Sequence, residues 1–255
     1  MLSSRSGLGF AFEACACRGA FHVGVVQELW RAGIRPARVA GASSGAIIAA
    51  AVALGLADDL DRLWLDLAGQ RVFQPLRMLR GHWPFRMSEI VSGALGRVIG
   101  SRTLGEVSTE LSVVITVVER GRLVPRVITS ADAHLRLIDV LMASAFIPGI
   151  YHKPCWVDGR LALDGGWVAR TAVPQILVGP QPRGIAVVSS AWAARPTEIA
   201  RWTRAPEREL RIIQPKNRLR IRSFDFDREV TMEAIAEGRS AAARFLDAHA
   251  GWVAA

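Results

Sequence analysis

Lysine occurs only twice in this chain, at Lys153 and Lys216, so its 32 basic residues are almost all arginine. Such a skew is consistent with genomic base composition. The arginines are spread along the chain without a basic helix or a zinc-finger frame, which argues against a nucleic-acid partner. With 23 acidic residues the net charge is +9, and attraction to anionic lipid headgroups accounts for that sign equally well. Cysteine is also scarce: Cys15, Cys17 and Cys155 are an odd set without a second Cys or His cluster. That excludes a disulfide framework and leaves a structural zinc site short of its four ligands, so no metal and no cofactor is expected. Long apolar runs are missing too. The longest, from Ala46 to Ala57, falls short of the ~20 residues a membrane span needs and suits a buried helix. The opening segment carries Arg5 and Glu13, with Glu13 where a signal-peptide cleavage site would fall, so no signal peptide is expected. A cytoplasmic protein, peripheral at a membrane at most, is the corresponding expectation.

What is present is a folded chain, 51% apolar over 255 residues and without low-complexity segments or internal repeats. Leu8, Phe10 and Phe12 alternate as a first strand running to Glu13. Arg18–Arg31 has helical spacing with Gly33 as its stop, and Arg38–Ala40 is a short second strand. Helices are predicted over Ser44–Leu54, Asp58–Leu67, Ser88–Ile99, Leu135–Ala145 and Arg228–Leu246. Leu111–Glu119 and Leu123–Thr129 form a predicted hairpin, and Gly184–Ser189 and Glu209–Ile213 are further strands. Strands alternating with helices imply a three-layer α/β/α sandwich with a mostly parallel central sheet, and no linker divides 1–255 into more than one domain.

Within this pattern, Gly41-Ala42-Ser43-Ser44-Gly45 fits G-x-S-x-G between a strand and a helix. In such an elbow the central serine is strained, and the glycines on either side avoid clashes. The helix behind it turns its N-terminal N–H groups toward developing negative charge. A plain strand-to-helix turn would use the same small residues, and the five residues alone do not separate the two. A serine nucleophile needs a base. Of His22, His82, His134, His152 and His249, only His249 lies late in the chain, in its tail, so a Ser–His–Asp triad is poorly supported. A carboxylate acting directly on Ser43 is the remaining option. Asp158-Gly159 separates two short apolar runs and has the signature of a two-residue hairpin turn. Asp164-Gly165-Gly166 follows the second run, at a strand end where a carboxylate can be presented at the sheet edge.

These residues together resemble the patatin-like phospholipases. "CRGAFHVGVVQELWRAGI" is similar to the family's Arg-Gly segment and first helix, and "VAGASSGAI" to its nucleophile elbow. "DVLMASAFIPGIY" resembles its Ala-Ser…Pro segment. "VDGRLALDGGWVARTAVP" resembles its hairpin, D-G-G motif and following proline, and "EAIAEGRSAAARFL" its closing helix. The likeness runs from Leu8 to about Leu246. It implies a serine–aspartate dyad of Ser43 and Asp164, with Gly41 and Gly45 shaping the elbow and Gly165 and Gly166 completing the acid motif. It also implies an oxyanion loop at Cys17, Arg18 and Gly19, and hydrolysis of lipid acyl esters through an acyl-enzyme. One departure stands out: Ala14-Cys15-Ala16-Cys17 replaces the family's run of glycines. Alanine and cysteine resist positive φ, so the loop is expected to present its N–H groups differently, and losing one donor costs about 3 kcal/mol. Cys15 or Cys17 as an alternative nucleophile lacks an assigned base.

The stretch 70–87 mixes arginine with Phe73, Trp83 and Phe85. It is either a surface excursion folded against the domain or a lid or membrane-facing element. Trp156 and Trp167 flank Asp164, as acyl-pocket lining or as core. The leading expectation is a lipid acyl hydrolase acting on lipid or ester substrates. The alternatives are a weakly active patatin-fold protein that binds lipid or a protein, and an acyltransferase using the same dyad.

Overall fold

Along the first strand, β1 (Leu8–Phe12), Leu8, Phe10 and Phe12 enter one apolar cluster while Ala11 enters another, so β1 is buried on both faces. This is the pattern of a central parallel strand. The computed structural model describes residues 7–179, 182–189 and 209–254; Arg5 of the opening segment lies outside them. After β1 come α1 (Gly19–Arg31), β2 (Arg38–Ala42), α2 (Ser44–Ala53), α3 (Leu60–Leu67) and α4 (Met87–Val98). The hairpin β3 (Glu110–Glu119) and β4 (Arg122–Thr129) follows, then α5 (Leu137–Ser144) and a second hairpin, β5 (Cys155–Val157) and β6 (Arg160–Leu163). β7 (Arg183–Val187), β8 (Glu209–Ile213) and α6 (Arg228–Ala254) complete the described elements.

The predicted elements recur within one to three residues at most ends. The second strand is longer than expected, because Gly41 and Ala42 still pair with Val113 and Val114. The last helix runs eight residues past Leu246, broken at His249 (φ −133°), whose ring packs on Phe245 rather than lying in a free tail. All ten residues of α2 are buried, which explains why its sequence is apolar on every side.

One mixed sheet holds the eight strands, in the order β5-β6-β3-β2-β1-β7-β8, with β4 beside β3. The pairs β1–β2, β1–β7, β2–β3 and β7–β8 are parallel, so the sheet is mostly parallel. The larger apolar cluster joins one sheet face to the helices. The smaller one, around Ala11, Ala40, Val114 and Ile176, is covered among the described residues by the segment reaching from Ala169 to Leu177.

The edges of β3 position the site. β4 pairs with β3 continuously from Ser112 to Glu119 and so takes one whole edge. β2 and β6 share the other. β2 runs parallel to β3 and ends with Ala42 opposite Val114, while β6 runs antiparallel and ends with Leu163 opposite Thr116. Their C-terminal ends therefore meet head-on beside Ile115, and the residues that follow them are Ser43 and Asp164.

Candidate active site

Ser43 adopts φ 54°, ψ −129°, a backbone conformation that a non-glycine residue holds only when its surroundings impose it. Two hydrogen bonds and the close packing of two glycines do so here. The Ser43 N–H donates to Ser144 Oγ at 2.8 Å, and the Ser144 hydroxyl in turn donates to the Val114 carbonyl at 2.7 Å. A Cβ on Gly41 would collide with the Gly45 carbonyl, and one on Gly45 would lie 2.5 Å from the Phe12 carbonyl. Glycine at both places is thus a steric requirement of the elbow.

The Ser43 hydroxyl donates to Asp164 Oδ2 at 2.5 Å. Asp164 is buried. Its Oδ1 accepts the Gly166 N–H at 2.8 Å, its own N–H donates to the Phe146 carbonyl at 2.8 Å, and its carbonyl accepts the Thr116 hydroxyl at 2.7 Å. Burial lifts its carboxyl from the ordinary 3.8 to about 6, against the hydrogen bonds from Ser43 and Gly166, which lower it. A Cβ on Gly165 would strike the Val114 carbonyl, so this turn can lie flat against β3 only with glycine there. Asp158 is at the tip of the β5–β6 hairpin, with φ 48° followed by Gly159 at φ 72°, and pairs with Arg126.

The loop before α1 breaks one expectation and meets another. Ala16 does take a left-handed φ of 51°. The N–H groups of Cys17, Arg18 and Gly19 do not face Ser43 as free donors: they are taken by the carbonyls of Ser223, Cys15 and Ala16. The chain tightens here into a 3₁₀ turn over Ala16–Arg18. The Ala16 N–H has no hydrogen-bond partner among the described residues, and the first turn of α2 offers the Ser44 and Gly45 N–H groups, which have no intrahelical acceptor.

Two cavities share Ser43 as a wall. One, of about 70 Å³, is apolar and lined by Ile47, Trp64, Leu67, Met87, Val91, Tyr151 and neighbours. The other is an open cleft with Arg18, Asp164, Trp167, Arg170 and Ser223 around it. The sequence-based expectation for the tryptophans needs correction. Trp167 is 54% and Trp156 64% exposed, so neither is core, and the tryptophan of the apolar cavity is Trp64, whose Nε1 donates to the Cys17 carbonyl.

Behind the loop, Glu13, Cys15 and His22 bring one potential ligand atom each within 4.8 Å of one another. Glu13 was not counted with the cysteines in the sequence. Its oxygens are already engaged, by Arg170 Nε at 2.8 Å and by the Ser189 N–H and hydroxyl at 2.7 and 2.9 Å. This set is a satisfied polar knot in the core. Burial pushes the Cys15 and Cys17 thiols up to about 12, so neither is poised as a nucleophile. Burial, aided by Arg18, lowers His22 to about 3. A His held neutral in the fold stabilises it above pH ~6.5, and that contribution is lost as the pH falls toward 3, at about 1.4 kcal/mol per pH unit. His22→Met is expected to flatten the dependence of unfolding free energy on pH between 6.5 and 4.5, as measured by urea titration. An unchanged slope would contradict this.

A family model described as "Patatin-like phospholipase" matches residues 10–176. The chain belongs to the patatin-like phospholipase family. Its relatives include uncharacterized NTE family proteins of Mycobacterium tuberculosis and Mycobacterium bovis, each 27% identical over 164 residues. The match covers 64% of this patatin-like chain and 44% of each relative, so the chain spans less than half of their length. Solved structures share the fold. VipD from Legionella pneumophila aligns with a TM-score of 0.57 at 14% identity, over 97% of this chain and 67% of that one. The type III effector ExoU aligns at 0.53 and 14%, over 95% and 53%. Patatin-like proteins are generally lipid hydrolases, which supports lipid hydrolysis at the level of the family. Ser144 and Thr116, which hold the Ser43 and Asp164 backbones, were missed as site residues in the sequence, although Ser144 lies in the quoted Ala-Ser…Pro segment.

Proposed function

We propose that this patatin-like protein is a lipid acyl hydrolase of the phospholipase A or carboxylic-ester type, with Ser43 as nucleophile and Asp164 as its base. The observation that carries the reading is the 2.5 Å hydrogen bond from a strained, buried serine to a buried carboxylate. Asp164 takes the hydroxyl proton as Ser43 Oγ bonds to the ester carbonyl carbon. The oxyanion that forms is met by the Ala16 N–H, unpaired among the described residues, and the first turn of α2, whose dipole favours negative charge. The tetrahedral intermediate collapses, the alcohol leaves with the proton from Asp164, and water then repeats the sequence on the acyl-enzyme. The apolar cavity suits the acyl chain, and the cleft with Arg18 and Arg170 suits the head of the ester. The substrate class implies peripheral contact with an anionic membrane. Among the described residues no helix is long and apolar enough to cross one.

A second reading, a patatin-fold binding protein with little turnover, is favoured by one observation: three loop N–H groups are spent on internal carbonyls. Turnover of p-nitrophenyl esters of graded chain length separates the two. Wild type is expected to turn over and to be phosphonylated at Ser43 by a fluorophosphonate probe, with loss of fluoride, and Ser43→Ala to lose both. Probe labelling that survives Ser43→Ala would sink the dyad. Absence of wild-type turnover on esters and phospholipid vesicles alike would promote the binding reading.

A further inference from the structure

Between Gln70 and Met87 stand four arginines, Arg71, Arg77, Arg80 and Arg86, and no acidic residue. A 3₁₀ turn over Pro75–Arg80 carries Leu76, Met78 and Leu79, which are 75%, 63% and 84% exposed. Three large apolar side chains on one turn are unusual on a water-facing surface. The turn is held out by a built base. Phe73 and Phe85 bridge the two arms with ring centroids 5.0 Å apart, Gln74 N–H donates to the Pro84 carbonyl, and Arg86 N–H to the Val72 carbonyl. Trp83 Nε1 donates to the Gly149 carbonyl at 3.1 Å. That base adjoins the wall of the apolar cavity, since Met87 follows it directly and Ile147 and Tyr151 flank Gly149. Arg77 pairs with Glu89, whereas Arg71, Arg80 and Arg86 make no ion pair among the described residues.

We propose that this turn is a membrane-docking element. Leu76, Met78 and Leu79 enter the headgroup–acyl boundary of an anionic bilayer, and Arg71 and Arg80 bind its phosphate groups. Interleaved aromatic, aliphatic and cationic side chains suit that interface. Charge decides against a second copy of the chain: a two-fold contact through this turn would set the same unpaired arginines against one another. The inference extends the lipid-hydrolase reading by naming the face that meets the substrate's membrane. Docking there brings the mouth of the acyl cavity to the lipid.

Binding is measured by co-sedimentation with phosphatidylcholine vesicles containing 30% phosphatidylglycerol, and with phosphatidylcholine alone, on Ser43→Ala protein, so that docking and hydrolysis can fail separately. The parent is expected to prefer the anionic vesicles. Leu76→Ser/Met78→Ser/Leu79→Ser is expected to lower the partition coefficient at least tenfold. Arg71→Gln/Arg80→Gln is expected to lower it roughly fivefold per arginine on anionic vesicles, and little on neutral ones. Placed in the wild-type background, both sets are expected to leave turnover of a water-soluble short ester, and the melting temperature, unchanged. Absence of vesicle binding by the parent, or binding that both sets leave intact, would overturn the proposal. So would sedimentation velocity showing a dimer that the apolar substitutions dissociate, with no vesicle binding.

Discussion

Asp164→Asn is expected to lower kcat/KM by about a hundredfold to ten-thousandfold and, at pH 8, to raise the melting temperature by several degrees. The loss follows from chemistry. An amide has no basic lone pair for the Ser43 proton, and removing a general base typically costs two to four orders of magnitude. The gain follows from burial, which raises the carboxyl to about 6. An acid raised above its unfolded value stabilises the fold fully below pH ~3.8, and that contribution is lost as the pH climbs through about 6. At pH 8 the ionised carboxylate therefore costs about 3 kcal/mol relative to acid. Asparagine removes that cost and keeps the geometry: its amide can donate to Ser43 Oγ while its carbonyl accepts the Gly166 N–H, as Asp164 Oδ1 does now. The stabilisation should vanish near pH 3.5. In wild type, kcat/KM should rise with pH through about 6 as the base ionises. Melting scans at both pH values and a pH–rate profile check this. An Asn variant that is active, or that is destabilised at pH 8, would remove Asp164 from the role.

The second large effect lies away from the site. Gly24→Ala or Gly238→Ala should each destabilise the protein by about 3 kcal/mol or more. α1 and α6 cross backbone to backbone. A Cβ on Gly24 would fall on the Ile235 carbonyl, and one on Gly238 on the Phe21 carbonyl. Neither obstacle is a flexible side-chain end, so the helices must part and the core around Phe21 and Val25 must open. Overpacking that moves backbone sits at the top of the usual 1–3 kcal/mol range or above it. The paired variant should cost less than the sum, because one separation relieves both clashes. Gly96→Ala, in the exposed part of α4 with nothing near its Cβ, should instead stabilise by up to about 1 kcal/mol. Urea unfolding of the four variants tests the set. A mild loss at Gly24 would mean that the helices tolerate separation.

Much was legible in advance because it is local. The alternation of Leu8, Phe10 and Phe12, the all-apolar Ala46–Ala57 run and the glycines around Ser43 each encode their structure within a few residues. The ordered blocks identified the family and with it the layered α/β fold. The loop before α1 was less legible. Its glycine substitutions could be read, but Ala16 is left-handed all the same, and the Cys17 N–H is spent on Ser223, two hundred positions on. No periodicity signals such a partner.

The meeting of Ser43 and Asp164 divides what the sequence by itself determined from what only the tertiary structure decided. Asp158-Gly159 reads as a hairpin turn, whereas Asp164 stands out by its place at a strand end and by the family resemblance. Local composition offered a serine turn at the end of β2 and a carboxylate after β6. Register brings the two together. Because β4 occupies one edge of β3, β2 and β6 must share the other and run toward each other. That sets Asp164 against Ser43 across 121 residues and leaves Asp158 at the hairpin tip, paired with Arg126. Strand pairing is a contact between distant segments, and its register depends on which edges remain open once the whole sheet has formed.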